Sequence, residues 1–375
     1  MLYFFLFSRV LFLICSVSYQ PFLFSADEFI RGVDLSSANQ MADCGEVFFD
    51  KEGAKNVYQI MSEKGGNLAR VRIWVNPFWK NPNGTINRYS NLIDVKKSIR
   101  QAKSHNMKVL LDFHYSDTWA DPGAQIIPTS WQSLLNDSEK LADTLYTYTD
   151  SVLAELADNQ LTPDYVQIGN EIDREILLPW NDNGYPIDWN RNALLLNAAI
   201  KASRKTENGQ PQIIIHLAKA SSAFDWFYNA KKAGVTDFDI IGLSYYAQWS
   251  KLDIAQFGKI IHLLKKSYAK EVIIVETALP WTLQWNDNLH NVLSKMPSGY
   301  HPAIPENQAR WLLQLKKEAK KQKALGIVYW EPAWVSNTCS ASGFKQKRGS
   351  SWENATFFDF ENRLIENGGV KFLSP

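Results

Sequence analysis

Val166-Gln167-Ile168-Gly169-Asn170-Glu171-Ile172 and Val272-Ile273-Ile274-Val275-Glu276-Thr277 are two apolar runs, each too short for a helix and each leading into a glutamate. Near-continuous Val and Ile at this length reads as a strand buried on both faces of a parallel sheet. Outward from them, strand-like and helix-like patterns alternate. The predicted strands are Ile30–Asp34, Leu68–Trp74, Val109–His114, Tyr165–Gly169, Gln212–Leu217, Ile240–Tyr246, Val272–Glu276 and Gly326–Trp330. Leu92–His105 sets Leu92, Val95, Ile99 and Ala102 at helical spacing. Glu306–Lys323 opposes Trp311, Leu312 and Leu315 to Lys316, Lys317, Lys320 and Lys321, a lysine run that reads as a solvated face. The repeat predicts an α/β protein, a (β/α)8 TIM barrel over residues 26–375. A doubly wound open sheet is disfavoured because no strand is followed by a G-x-G-x-x-G turn.

The chain has 375 residues, is 45% hydrophobic and carries a formal net charge of +1, so no nucleic-acid partner is expected. A monomer is expected. The 14 Trp, 15 Tyr and 20 Phe fit either a surface on which sugar rings stack or a large aromatic core. Residues 1–25, apolar and interrupted by Arg9 and Gln20, read as a secretory signal ending near Ser25 or Ala26. The expected location is secreted or extracellular. A membrane anchor, or a lipoprotein through Cys15, would make it periplasmic or cell-surface anchored. Cys44 and Cys339 follow the first and eighth strands, neighbours in a closed barrel. Either a disulfide or two free thiols is compatible with that placement.

Barrel enzymes keep their chemistry where strands end. Here the strand termini carry Asp34, Arg70 and Arg72, Asp112 and His114, Asn170 and Glu171, His216, Ser244 with Tyr245 and Tyr246, Glu276, and Trp330 with Glu331. Either glutamate alone could be a buried partner of an arginine. Two together suggest the pair that cleaves a glycosidic bond with retention, one acid to protonate the leaving oxygen and one carboxylate to attack. Glu276 is expected to be held anionic by Arg72 and by a tyrosine hydroxyl of the sixth strand, with Asn170 placed for a sugar hydroxyl.

Several segments resemble glycoside hydrolase family 53, the endo-β-1,4-galactanases. They include Arg31-Gly32-Val33-Asp34-Leu35-Ser36, Arg70-Val71-Arg72-Ile73-Trp74-Val75-Asn76-Pro77, the specific stretch Leu110 to Pro122, Gly169-Asn170-Glu171-Ile172, Gly242-Leu243-Ser244-Tyr245-Tyr246, Val275-Glu276-Thr277 and Tyr329-Trp330-Glu331-Pro332-Ala333-Trp334. The resemblance implies a retaining endo-hydrolase of β-1,4-galactosidic bonds in (arabino)galactan, with Glu171 as acid/base and Glu276 as nucleophile. It implies sugar contacts from Asp34, Arg72, His114, Trp119, Asp121, Asn170, Tyr246, Trp249, Trp330 and Trp334, and no cofactor in the chemistry. The chain departs from the family at Ala218-Lys219-Ala220, where Asp-Asn-Gly is usual, and at Ala247-Gln248-Trp249, where a Pro precedes an aromatic. Those departures bear on the outer sugar sites.

Some family members hold a structural calcium between the loops after strands seven and eight. Asn286, Asp287, Asn288, His290, Ser350 and Glu353 fall at matching places. Oxygen ligands suit calcium; a polar loop clamped by hydrogen bonds is the other reading. Competing functions are a barrel glycosidase for another β-linked polysaccharide, such as mannan or glucan, and a non-catalytic galactan-binding barrel. The intact glutamate pair argues against the last.

Overall fold

A computed structural model of the chain describes residues 28–80, 86–206, 209–339 and 348–375. The expected signal segment lies outside these residues. Eight parallel strands close into a barrel: β1 (Ile30–Asp34), β2 (Leu68–Ile73), β3 (Lys108–Phe113), β4 (Tyr165–Ile168), β5 (Gln212–Leu217), β6 (Ile240–Ser244), β7 (Glu271–Glu276) and β8 (Gly326–Tyr329), with β8 bonded back to β1. The principal helices are α1 (Ala38–Asp43), α2 (Val57–Glu63), α3 (Leu92–Ser104), α4 (Ser138–Asp158), α5 (Trp189–Arg204), α6 (Ala223–Lys232), α7 (Ile254–Tyr268) and α8 (Pro305–Lys321). Every predicted strand forms within two residues of its expected ends.

Local chemistry sets the helix starts. Asn91 accepts from the Asp94 amide to begin α3, and Asp253 forms a capping box with Gln256 to begin α7. Pro305 occupies the first turn of α8, where its missing N–H costs nothing. One expectation fails in α8. Lys316 is buried, not solvated, and its ammonium donates to the carbonyls of Phe372 and Ser374. Burial, with Lys320 and Arg31 nearby, pushes its pKa down to about 8. The C-terminal turn packs over this point of the helix, which a 3.6-residue period does not reveal.

The barrel interior is built in layers. Ile30, Leu68, Leu110, Tyr165, Ile214, Ile240, Ile273 and Val328 form an apolar floor. Two residues further along, alternation returns Arg70, Asp112, Gln167 and His216 to the interior as a buried polar layer. The polar groups therefore gather over a packed base at the carboxyl ends of the strands. Glu276 needs a special device to join them. Val275 packs with Ile273 in the interior cluster, so strict alternation would turn Glu276 outward. The β6–β7 register shifts between Leu243 and Ser244, so that Ser244 pairs with Glu276 instead of Val275. A bulge of this kind re-aims a side chain, and it brings Glu276 into the barrel mouth.

Cys44 and Cys339 are joined as a disulfide with a Cα separation of 6.1 Å, tying the segment after β1 to the loop after β8.

Candidate active site

Arg70 on β2 is the electrostatic centre. Its guanidinium reaches Asp34 at 2.7 Å, Asp112 at 2.8 Å and Glu276 at 2.9 Å, and donates to Asn170 Oδ1 at 2.7 Å. Burial works against its charge, but Asp112, Glu276 and Asp34 outweigh it and hold it cationic. The contact expected of Arg72 thus belongs to Arg70. Both arginines share inward parity on β2, and only depth in the barrel separates them. Arg72, one layer nearer the mouth, pairs with Glu331 at 2.5 Å.

Glu276 also accepts from the Tyr246 hydroxyl at 2.8 Å, the tyrosine bond expected from the sixth strand. Burial pushes its pKa up to about 7 against the opposing pull of Arg70 and Tyr246. Asp34 lies beneath it. The carboxylate is fully buried and bonds Arg70 and Ser36, so Asp34 supports the site from below and does not face sugar as expected. His114 is likewise buried: Nδ1 accepts from Trp74 Nε1 and the Ala120 amide, so its ring proton sits on Nε2, 3.0 Å from Asp112.

Glu171 follows β4 on a sharp turn in which Gly169 has φ 76° and Glu171 itself φ 49°. Gly169 tolerates that conformation, and a Cβ there would meet Ile172 at 2.5 Å. The Glu171 carboxylate accepts from the Ser244 hydroxyl at 2.7 Å. Burial, and then the charge of Glu276, raise its pKa well above the carboxylate range, with Asp173 and Asp121 adding to the shift. The two glutamates therefore differ in partners. Glu276 has a guanidinium and a phenol to offset Asp112 and Asp34, whereas Glu171 has only a neutral hydroxyl against three acidic neighbours. The first proton the pair takes up belongs on Glu171.

An aromatic wall rises beside them. The Arg72 guanidinium lies 4.3 Å from the Trp119 ring centre, under a ring that stays partly open. Trp330, also partly open, packs edge-on against Trp352 at 4.5 Å. Trp334 departs from expectation. It is only 2% exposed, stacked behind Trp119 at 6.2 Å, and has no face to offer a sugar. Trp249 is 55% exposed and meets Tyr246 edge-on, so its outer face is open. Asn170 is fixed by donating to the Ala120 carbonyl at 2.8 Å. Asp121 is exposed and uses Oδ1 to accept the Gly123 and Ala124 amides, shaping the turn that faces Glu171.

The loop considered for calcium is closed by its own hydrogen bonds. Glu353 accepts from the Asn286 amide at 2.7 Å and from the Ser336 hydroxyl. Asp287 accepts from the amides of Leu289 at 2.8 Å and Ser350 at 2.6 Å. His290 packs against Trp285 at 4.2 Å with its ring tilted by 40°. A Cβ on Gly349 would fall within 2.4 Å of the Asp287 carboxylate, so the backbone itself fills this space. Both carboxylates face N–H and O–H donors, an arrangement that does not fit a calcium cage, which needs oxygens converging on one point.

Several of the strand-end groups, and Gln167 within β4, gain defined partners in the structure. Arg70, Asp112, Gln167, His216, Ser244 and Glu331 are all buried at the polar layer or just above it. For all but Glu331 the signal was inward parity with the apolar floor, but parity does not tell who bonds whom; Glu331, out of phase with Val328, follows the strand at a positive φ of 49°. At the departures from the family, Asp173 accepts the Ala218 and Lys219 amides, and Gln248 clamps the Val292, Ser294 and Lys295 backbone.

Comparison with known proteins places this geometry. The profile of glycosyl hydrolase family 53 matches residues 30–368. Over 337 residues the chain is 44% identical to an arabinogalactan endo-β-1,4-galactanase of Cellvibrio japonicus, covering 88% of this chain and 86% of that protein. It is 30% identical to an endo-β-1,4-galactanase of Bacillus subtilis, covering 82% and 71%. Among solved structures, the family 53 catalytic domain of Ignisphaera aggregans superposes with a TM-score of 0.83 at 31% identity, covering 94% of this chain and 98% of that one. A closed parallel barrel, a glutamate pair at its mouth and a match over nearly the whole described chain agree: this protein is a glycoside hydrolase and belongs to glycosyl hydrolase family 53.

Proposed function

We propose that the chain is an endo-β-1,4-galactanase that cleaves (arabino)galactan with retention of configuration. The observation that carries the reading is the unequal environment of the two glutamates on a family 53 frame. Glu276, gripped by Arg70 and Tyr246, attacks the anomeric carbon. Glu171 gives its proton to the departing glycosidic oxygen, then takes one from the water that releases the sugar from Glu276. Tyr246, with its own pKa raised by burial and by the two glutamates, remains a neutral phenol that can donate throughout. The chemistry requires no cofactor. The substrate is a neutral polysaccharide, the protein acts as a monomer, and nucleic acid is no partner. The apolar residues 1–25 and the Cys44–Cys339 bridge support a secreted or cell-surface setting, where disulfides persist. Product analysis tests the reading: unbranched β-1,4-galactan should yield short galactooligosaccharides whose first-formed anomer by proton NMR is β, while mannan and β-glucan should yield little. Initial α-anomer, or preference for mannan or glucan, would overturn it.

Two expectations concern the edges of the site. Trp249→Ala should raise KM for long galactan roughly 3- to 10-fold with little change in kcat, the size of one aromatic stacking contact. Trp334→Ala should lower thermal stability by about 3–5 kcal/mol, as emptying a buried Trp site does. Equal KM effects from both, with Trp334→Ala fully stable, would return Trp334 to the cleft. The clamped loop of Asp287 and Glu353 is read as metal-free. Adding EDTA and then calcium should therefore leave the unfolding temperature unchanged, and a calcium-dependent rise of several degrees would show that the loop rearranges around an ion.

A further inference from the structure

His216 lies behind Glu171, fully buried on β5 and out of reach of a sugar. Its surroundings define where its proton sits. The backbone N–H of Glu171 points at Nδ1 from 3.3 Å. A second proton at Nδ1 would collide with the Glu171 N–H. Asn170 Oδ1 also lies 3.0 Å from Nδ1, but it accepts from the Arg70 guanidinium at 2.7 Å. The ring proton therefore belongs on Nε2, where Ser244 Oγ stands 2.9 Å away. Ser244 has one proton. With His216 donating to its oxygen, that proton is free to go to Glu171 Oε1 at 2.7 Å.

We infer that His216 and Ser244 are positioning residues that keep the acid proton of Glu171 on Oε2, the oxygen that Ser244 leaves free for the glycosidic bond. A carboxyl whose Oε1 already receives a hydrogen bond carries its proton on the other oxygen. In the first step the Oε2–H bond breaks as the leaving oxygen gains that proton. In the second, Oε2 takes a proton from the attacking water. The protons of Ser244 and His216 do not move, so the relay orients and does not transfer. Were the imidazole turned to the Nδ1–H form, Nε2 would compete for the Ser244 proton, and Glu171 could park its acid proton uselessly toward Ser244. Alternation along β6 gives the hydroxyl its aim, since Ser244 has the inward parity of Ile240, and the register shift opposite it turns Glu276 in to join it. Burial, with Arg70 and His114 facing the ring, keeps His216 uncharged by holding its pKa well below the histidine range. Glu171 in turn faces Glu276, Asp173 and Asp121, all of which favour its protonated form, while the Ser244 donor opposes them.

The inference rests on Glu171 being the acid/base, and the test separates the two. The pH profile of kcat/KM on unbranched β-1,4-galactan is measured for the wild type, Ser244→Ala, Ser244→Thr and Glu171→Gln. Removing the donor destabilises ionised Glu171, so its pKa rises and the acid survives to higher pH. Ser244→Ala should therefore lose about 10- to 100-fold in kcat, the size of one hydrogen bond to a charged group, while the basic limb moves up by roughly one pH unit. Ser244→Thr should restore both. A Ser244→Ala limb that superimposes on the wild type overturns the inference while leaving the acid assignment intact. A Glu171→Gln enzyme that still cleaves polymer overturns the acid assignment itself. Nitrogen-15 NMR of histidine-labelled wild-type protein reads the tautomer without any variant: His216 should show its proton on Nε2, and a proton on Nδ1 would sink the inference even if Ser244→Ala does not fold.

Discussion

Glu276→Gln is expected to lose roughly four decades or more of kcat on unbranched β-1,4-galactan, because among the described residues no other group of the site is placed to form the covalent intermediate. The amide keeps the shape of the carboxyl and can still meet Tyr246 and Arg70, so folding should survive. Glu171→Ala should lose about two to four decades on polymer, the usual worth of a positioned acid. The two variants part on an aryl β-galactoside whose phenolate leaves without a proton. There Glu171→Ala should form the glycosyl-enzyme at nearly the wild-type rate and stall at hydrolysis, giving a burst of phenolate followed by slow turnover. Glu276→Gln should give no burst. The electrostatics motivate this division: burial raises both carboxyls, but Arg70 and Tyr246 counter it at Glu276, while Glu171 has acidic neighbours. Absence of a burst in Glu171→Ala, with equal losses on both substrates in both variants, would mean that the roles are wrongly assigned.

How much of this could be read from residues alone follows from what periodicity encodes. A Val/Ile run of five or six with a polar residue at its end specifies a barrel strand and the end that carries chemistry, so the strands and both glutamates were legible. Side-chain depth was not. Arg70 and Arg72 have the same parity and differ by one layer, and only closure of the barrel assigns one to Glu276 and the other to Glu331. Trp334 reads as a cleft aromatic because it ends a Trp-rich motif, yet the ring of Trp119 covers it. Lys316 reads as solvated because its neighbours are lysines, yet the C-terminal carbonyls reach it. Glu276 shows the opposite case. Strict alternation with Val275 would have turned it away from the site, and a register shift in the β6–β7 pair, with no signature in the sequence, turns it back. Each of these facts depends on contacts between segments far apart in the chain.

Arg70→Met should be the most damaging substitution outside the glutamate pair, and its damage should depend on pH. The guanidinium is the shared counterion of Asp34, Asp112 and Glu276, the first two fully buried and the third nearly so. Removing it strands three carboxyls in a site that excludes water, and breaking even one such buried pair costs about 3–5 kcal/mol. The stranded carboxyls respond by holding protons, so their folded-state pKa values rise above those of the unfolded chain. A raised acid pKa makes stability fall as pH climbs from the unfolded value, near 4, toward the folded one. The gap in unfolding temperature between wild type and Arg70→Met should accordingly be wide at pH 7 and narrower near pH 4.5. The same rise disarms the nucleophile, moving the acid limb of kcat/KM upward along with a loss of several decades. Arg70→Lys restores a charge but not a planar fork that meets three acids at once, so it should recover part of the stability and little of the activity. Arg72→Met makes the contrast. It leaves Glu331 with only the Ser37 donors and strips Trp119 of the guanidinium beneath its ring, so stability and polymer affinity should suffer, but the acid limb should stay in place. If instead Arg72→Met moved that limb and Arg70→Met left it alone, the ionisation of Glu276 would be governed from the mouth of the barrel and not from beneath it.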